Sequence, residues 1–199
     1  MIRDLVKWDD PILKEEMPVF DFNEHSSEEV KQICDDLVES IQEYKGLGLA
    51  ANQIGLRKRA FILWTNPTLI VFNPRIVYED NDLQYSDEAC LSYPGVTMKI
   101  KRPTEIRVRF QDTSGNIESK TFMGFTAKAF HHETDHLNGI TFFDRASRYH
   151  REKGLQKLRK VAKMTKRSKG VRPSLNTPHP IIGNVRGLNE VLLNKNIRA

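Results

Sequence analysis

The chain has 199 residues, 39% hydrophobic and 29% charged, with 11 Gly and 9 Pro, values that suit one compact unit with an appendage and exclude collagen-like, low-complexity and wholly disordered chains. No apolar run approaches the roughly 20 residues a bilayer span requires, the first residues lack a signal-type apolar stretch, and two cysteines are too few for a disulfide framework, so a cytoplasmic, reducing setting is expected. The net charge of +5 is unevenly divided: residues 1–144 carry 16 basic and 24 acidic groups, residues 145–199 carry 15 basic and two acidic ones, so any polyanion contact belongs on the tail.

Ser26-Ser27-Glu28-Glu29 reads as a capping box. Val30, Ile33, Cys34, Leu37, Ile41 and Tyr44 then recur at helical spacing until Lys45-Gly46 stops the run, which predicts an amphipathic helix with Cys34 as a small thiol on its apolar face. A short Gly-rich stretch follows, and residues 60–64 and 68–72 are two runs of strand formers bounded by Asn-Pro turns. From Thr104, Ile106, Val108 and Phe110 alternate with Arg107, Arg109 and Gln111; residues 112–116 then turn the chain into residues 117–122, a hairpin. A second helix is predicted from about Thr126 to Leu137, closed by Asn138-Gly139. Without a βαβ rhythm the fold class is α+β: antiparallel or mixed sheets around a central helix, with a basic helical extension.

Residues 145–172 hold 12 Lys or Arg and one acid, with Leu155, Leu158, Val161, Ala162 and Met164 as a sparse apolar stripe, so a long basic helix is expected, weakened at Gly154. Pro173, Pro178 and Pro180 exclude regular helix beyond it. The expected division is a catalytic domain over 1–144, the basic helical extension over 145–172 and an irregular tail over 173–199.

His132-Glu133-Thr134-Asp135-His136 is an H-E-x-x-H sequence on the second predicted helix. Its spacing sets both imidazoles on one face, about 6 Å apart at Cβ, where they can share one metal ion with Glu133 beside it. A tetrahedral ion needs a third protein ligand, and Cys90, just before the Pro94-Gly95 turn, offers a thiolate suited to iron(II) or zinc. In residues 46–53, Gly46-Leu47-Gly48-Leu49-Ala50-Ala51-Asn52-Gln53, small residues permit close backbone approach and Gln53 can donate to an oxyanion.

In this order the three stretches resemble the signatures of the peptide deformylase family, G-x-G-[L/I]-A-A-x-Q, E-G-C-L-S and [Q]-H-E-x-D-H-L-x-G. The resemblance continues through Asp10-Pro11-Ile12-Leu13, Pro18-Val19 and Arg102-Pro103 and covers about residues 2–144. Two positions depart from it: Ala89 stands where Gly is usual, adding a methyl beside the cleft, and His131 stands where Gln is usual, about 100° around the helix from the metal-facing side.

The resemblance implies removal of the N-formyl group from formyl-methionyl nascent peptides. It implies one divalent metal ion held by Cys90, His132 and His136, with iron(II) expected and zinc, nickel or cobalt compatible. Glu133 would be the proton carrier, Gln53 and the Leu91 N–H the oxyanion donors, and Leu47, Gly48 and Ala89 the substrate contacts, while Glu88 and Arg102 would form a supporting ion pair. By the same resemblance the basic helix would contact ribosomal RNA near the nascent-chain exit, with no membrane partner. A zinc endopeptidase is the alternative enzyme, although no downstream third ligand is evident. An RNA-binding protein with a structural metal is the alternative of a different class.

Overall fold

The computed structural model describes residues 1–167. Residues 168–172 of the expected basic helix and the expected irregular tail lie outside them. The helices are α1 (Ser27–Tyr44), α2 (Gly124–Leu137), α3 (Phe142–Arg145) and α4 (Arg148–Arg167). The strands are β1 (Gly48–Ala50), β2 (Ala60–Leu63), β3 (Leu69–Glu79), β4 (Leu83–Ala89), β5 (Thr97–Pro103), β6 (Glu105–Gln111) and β7 (Ile117–Met123).

The capping box forms as read. Ser26 Oγ accepts from Glu29 N at 3.2 Å, and the Glu29 carboxylate accepts from Ser26 N at 2.8 Å. Lys45 closes α1 in the left-handed region at φ 51°. Val30, Ile33, Leu37 and Ile41 pack on Leu49, Ala60, Ile62 and Phe72. Cys34 is half-buried in this layer, and burial pushes its thiol up to about 11, which makes it unreactive at neutral pH.

Five strands form one sheet in the order β1-β2-β3-β6-β7, and β4 pairs with β5 in a second; every pairing is antiparallel among the described residues. Of the antiparallel or mixed sheets expected, the described residues form the antiparallel kind, in an α+β arrangement. β2 is buried at all four positions. Ala60 and Ile62 join the layer under α1, and Phe61 and Leu63 join the one that holds Phe130 of α2, so the helices cover opposite faces. That is why β2 reads as a continuous apolar run instead of an alternating one.

Asn73-Pro74 does not end a strand as expected; β3 runs on to Glu79. The register against β6 shifts between Phe72 and Arg75 and again between Ile76 and Tyr78, and such bulges accommodate a residue at φ 48° and a proline lacking an N–H. Asn73 secures the irregularity with 2.7 Å hydrogen bonds to both backbone polar groups of Phe20.

β4 and β5 were not expected as strands. Their buried positions include Glu88 and Arg102 as well as Met98 and Ile100, so polar residues occupy core sites and mask the period-two apolar signal.

α2 ends at Asn138 with Gly139 at φ 67°. Arg59 donates to Leu137 O at 3.1 Å and to Asn138 Oδ1 at 2.7 Å, a cation at the negative end of the helix dipole. Gly154 does not merely weaken α4; a Cβ there would lie 2.7 Å from Met98 Sδ and 3.0 Å from Phe143 Cε1. The missing side chain lets α4 come down on β5 and α3, with Leu158 buried one turn later.

Candidate metal centre

The end of β4 and the C-terminal half of α2 converge. Cys90 follows the last residue of β4 and heads a tight turn in which its carbonyl accepts from Tyr93 N at 3.0 Å. Cys90, His132 and His136 place one ligand atom each within 4.8 Å of one another, and Cys90 Sγ lies 3.2 Å from His136 Nε2. A four-coordinate ion with bonds of about 2.0–2.3 Å needs ligands roughly 3.3–3.8 Å apart, so one thiol and two imidazoles at this separation fit a single divalent ion.

Each of these three side chains is held from behind. Glu88 Oε2 lies 2.9 Å from His132 Nδ1, the carboxylate–histidine arrangement that fixes a ligating ring by its other nitrogen. His136 is steered through its backbone, its carbonyl accepting from Asn52 Nδ2 at 2.7 Å, while its buried Nδ1 has no partner. Gln53 Nε2 donates to Cys90 Sγ at 3.3 Å and Ser92 Oγ at 3.0 Å, and Gln53 Oε1 accepts from Ala50 N at 2.8 Å.

Behind Glu88 runs a buried ionic chain. Arg102 grips both Glu88 oxygens, at 2.7 and 3.0 Å, and also donates to Asp135 Oδ2. Arg145 then closes on Asp135 with bonds of 2.6 and 3.1 Å. His131 is turned off the metal side as expected and is buried within this chain: Arg102 Nη1 donates to its Nδ1 at 2.8 Å, and its Nε2 lies 3.0 Å from Glu79 Oε1. Asp135 and Arg145 went unassigned in the sequence. The one signal for them was an acid at i+3 from the first histidine of H-E-x-x-H, on a helix flanked by buried partners.

The environment separates the titrating groups. Burial raises Glu88, but hydrogen bonds from His132 and Arg102 outweigh it and bring the carboxyl down to about 2. Burial pushes Glu133 up to about 7, and its Oε2 is buried without a partner. Burial holds His136 well below its ordinary value, with His132 adding to the effect, so His136 is neutral and ready to ligate. Burial also opposes protonation of His132, but hydrogen bonds to Cys90 and Glu88 override it and raise that ring.

A cavity of about 150 Å³ opens on these groups. Leu47, Gly48, Ala89, Leu91, Phe125 and Ala129 line it together with Gln53, Glu88, Cys90, His132 and Glu133. All the residues singled out in the sequence thus meet at one place except His136, beside Cys90, and Arg102, behind Glu88.

Gly48 is a close-approach position: a Cβ there would fall 2.2 Å from Glu133 Oε1. Gly48→Ala is expected to leave the fold intact, because the obstructed atoms, Oε1, Cδ and Cγ, belong to the one side chain of Glu133, which borders the cavity, and to push the Glu133 carboxylate out of place. Turnover should drop at least about tenfold, since an ångström of misplacement carries such costs, while the melting temperature moves little.

An H-E-x-x-H helix set against a cysteine at a strand end, on the wall of a largely apolar cavity, defines a metallohydrolase of α+β fold. The model of the polypeptide deformylase family matches residues 2–152. The chain is 38% identical over 168 residues to the peptide deformylase of Acidobacterium capsulatum, covering 81% of this chain and 96% of the relative. Among solved structures it is similar to the peptide deformylase of Thermus thermophilus, with TM-score 0.74, 32% identity and coverage of 84% and 100%. It is likewise similar to the Met-Ala-Ser-bound peptide deformylase of Acinetobacter baumannii, with TM-score 0.69, 29% identity and coverage of 73% and 98%. The chain belongs to the polypeptide deformylase family.

Proposed function

We propose that the chain hydrolyses the N-formyl group of formyl-methionine at the start of newly made polypeptides, releasing formate and a free amine. The observation that carries this reading is the buried Cys90–His132–His136 donor set with an unpartnered Glu133 oxygen beside it, on a cavity lined by Leu47, Leu91 and Phe125. The Met-Ala-Ser bound to the relative from Acinetobacter baumannii is the kind of peptide such a cavity would receive.

Cys90, His132 and His136 would hold one divalent ion, with iron(II) expected and zinc, nickel or cobalt suited to the same donors. When bound, the ion supplies Lewis-acid activation of water and of the formyl oxygen. Glu133 Oε2 takes the proton from the attacking water and passes it to the departing amine; burial, which raises this carboxyl, equips it to hold the proton between the two steps.

Leu91 N–H, which makes no hydrogen bond among the described residues, is the ready donor to the negative charge that develops on the formyl oxygen. Gln53 serves the same oxygen only by giving up its bond to Cys90 or Ser92. Gly48 and Ala89, both on the cavity wall, would pair with an extended peptide backbone. Glu88, carried by Arg102, orients His132.

Metal analysis combined with formate release from formyl-Met-Ala-Ser tests the reading. The iron-, nickel- or cobalt-loaded protein should release formate, and Cys90→Ala should lose both metal and turnover. No release with any of these metals would overturn it.

The basic helical extension is a second contact surface in this reading. Arg151, Lys153, Lys157, Arg159 and Lys160 are exposed on α4, whose opposite face is buried at Gly154 and Leu158. Contact with ribosomal RNA should then weaken steeply with salt. Reversing Arg151, Lys157 and Lys160 to Glu should reduce ribosome binding and flatten its salt dependence while sparing formate release from short peptides. Removing α4 whole would instead uncover Leu158 and its buried neighbours.

A further inference from the structure

β4 and α2 each contribute a second polar residue to the cavity wall. Ser86 and Glu88 lie on one face of β4, opposite the buried Ile100 and Met98 of β5. Lys128 precedes His132 by one turn of α2. Glu88 meets His132, and one step farther along both elements Ser86 and Lys128 each line the cavity, beside Leu47, Phe125 and Ala129.

These two residues are at odds with an apolar pocket. Ser86 Oγ is buried and has no hydrogen-bond partner. Lys128 has no ion pair among the described residues, whereas Lys14, Lys31 and Lys120 each have one. A buried hydroxyl left unpaired is a standing cost that a bound acceptor removes. Both groups are donors.

We propose that Ser86 and Lys128 are specificity-determining residues that favour a hydrogen-bond acceptor at the end of the substrate's first side chain, so that the site deformylates peptides beginning with formyl-methionine sulfoxide as well as formyl-methionine. This rests on the deformylase reading of the site. The thioether of methionine is a weak acceptor, and oxidation places a strong, neutral acceptor on the same chain of atoms. A wholly apolar pocket would exclude the sulfoxide through lost hydration; a hydroxyl and an ammonium on its wall replace that hydration. A carboxylate is the poorer fit, because Asp87, Glu88 and Glu133 line the same cavity. The chemistry is unchanged: water adds to the formyl carbon, the carbon–nitrogen bond breaks, formate leaves and the amine takes the proton.

The test compares metal-loaded wild type with Ser86→Ala/Lys128→Met on three peptides, formyl-Met-Ala-Ser, its sulfoxide and its norleucine analogue. Wild-type kcat/KM for the sulfoxide should lie within about tenfold of that for methionine, and the double variant should lose at least about tenfold on the sulfoxide alone, chiefly in KM. Wild-type rejection of the sulfoxide by more than about a hundredfold, or equal losses on all three peptides, would overturn the proposal and leave the deformylase reading standing. If wild type releases formate from none of them, that reading fails instead. Equilibrium binding of unformylated Met-Ala-Ser sulfoxide and its norleucine counterpart then decides on Ser86 and Lys128 alone: loss of the sulfoxide's advantage in the double variant supports their role, and no change refutes it.

Discussion

Glu133→Ala is expected to abolish formate release while the protein keeps its metal. The three donors stay in place, so metal content measured after dialysis should match wild type. What disappears is the one carboxylate in the cavity with an unpartnered buried oxygen, and loss of a general base costs about 10²- to 10⁴-fold. Glu133→Gln keeps the shape against Gly48 and should lose activity equally, which separates proton transfer from packing.

The stability consequence has the opposite sign. Burial raises Glu133 from 4.5 to about 7 in the metal-free protein. The folded state therefore holds its proton more tightly than the unfolded state, and stability from this group falls as pH rises from 4.5 through 7. Metal-free Glu133→Gln should be more stable than metal-free wild type at pH 8, and this gain should vanish near pH 4, as denaturant titrations at the two pH values would show. Lower activity with higher stability identifies a group kept for chemistry.

How much of this the sequence disclosed depended on whether a signal was local. The capping box of α1, the β6–β7 hairpin and the Asn138-Gly139 stop are short-range devices, and all lie within a residue or two of where their patterns place them. The β4–β5 hairpin escaped notice because Glu88 and Arg102 occupy its inner face, and a buried charge looks like an exposed one until its partner is known. Asn73-Pro74 reads as a strand end because the bulge that tolerates it arises from pairing with β6, 34 or more residues later in the chain. The donor set was legible because a metal constrains residue identity as well as position. Asp135 and Arg145 were not, since any acid and any base can pair and only the packing of α2 against β5 and α3 decides which do.

Arg102→Met is the substitution expected to cost the most stability. Arg102 is 1% exposed and bonds Glu88 and Asp135, themselves buried, and His131 besides. Methionine fills much of the volume but leaves two carboxylates without their central cation; Arg145 continues to serve Asp135 from the edge. Breaking a buried pair on one side costs about 3–5 kcal/mol, which denaturant titration would resolve. Glu88 would also lose the grip that aims it at His132, and metal affinity should fall about 10- to 100-fold.

The pH profile distinguishes this from simple loss of packing. For both carboxylates burial acts to raise the pKa and is outweighed. Hydrogen bonds from His132 and Arg102 bring Glu88 from 4.5 to about 2, and the neighbouring His131, Arg145 and Arg102 take Asp135 well below 3.8. Depressed carboxylates lend stability above their unfolded values that is lost as pH falls toward their folded ones. Wild type should thus weaken steeply between about pH 4.5 and 2, and Arg102→Met, lacking the share of that contribution that Arg102 supplies beside His132, His131 and Arg145, should show a shallower acid limb. An equal downward shift at every pH would mean that Arg102 acts by filling space. Arg102→Lys completes the comparison: it restores the charge but not the fork that holds both Glu88 oxygens, so it should recover the acid limb more fully than it recovers metal affinity.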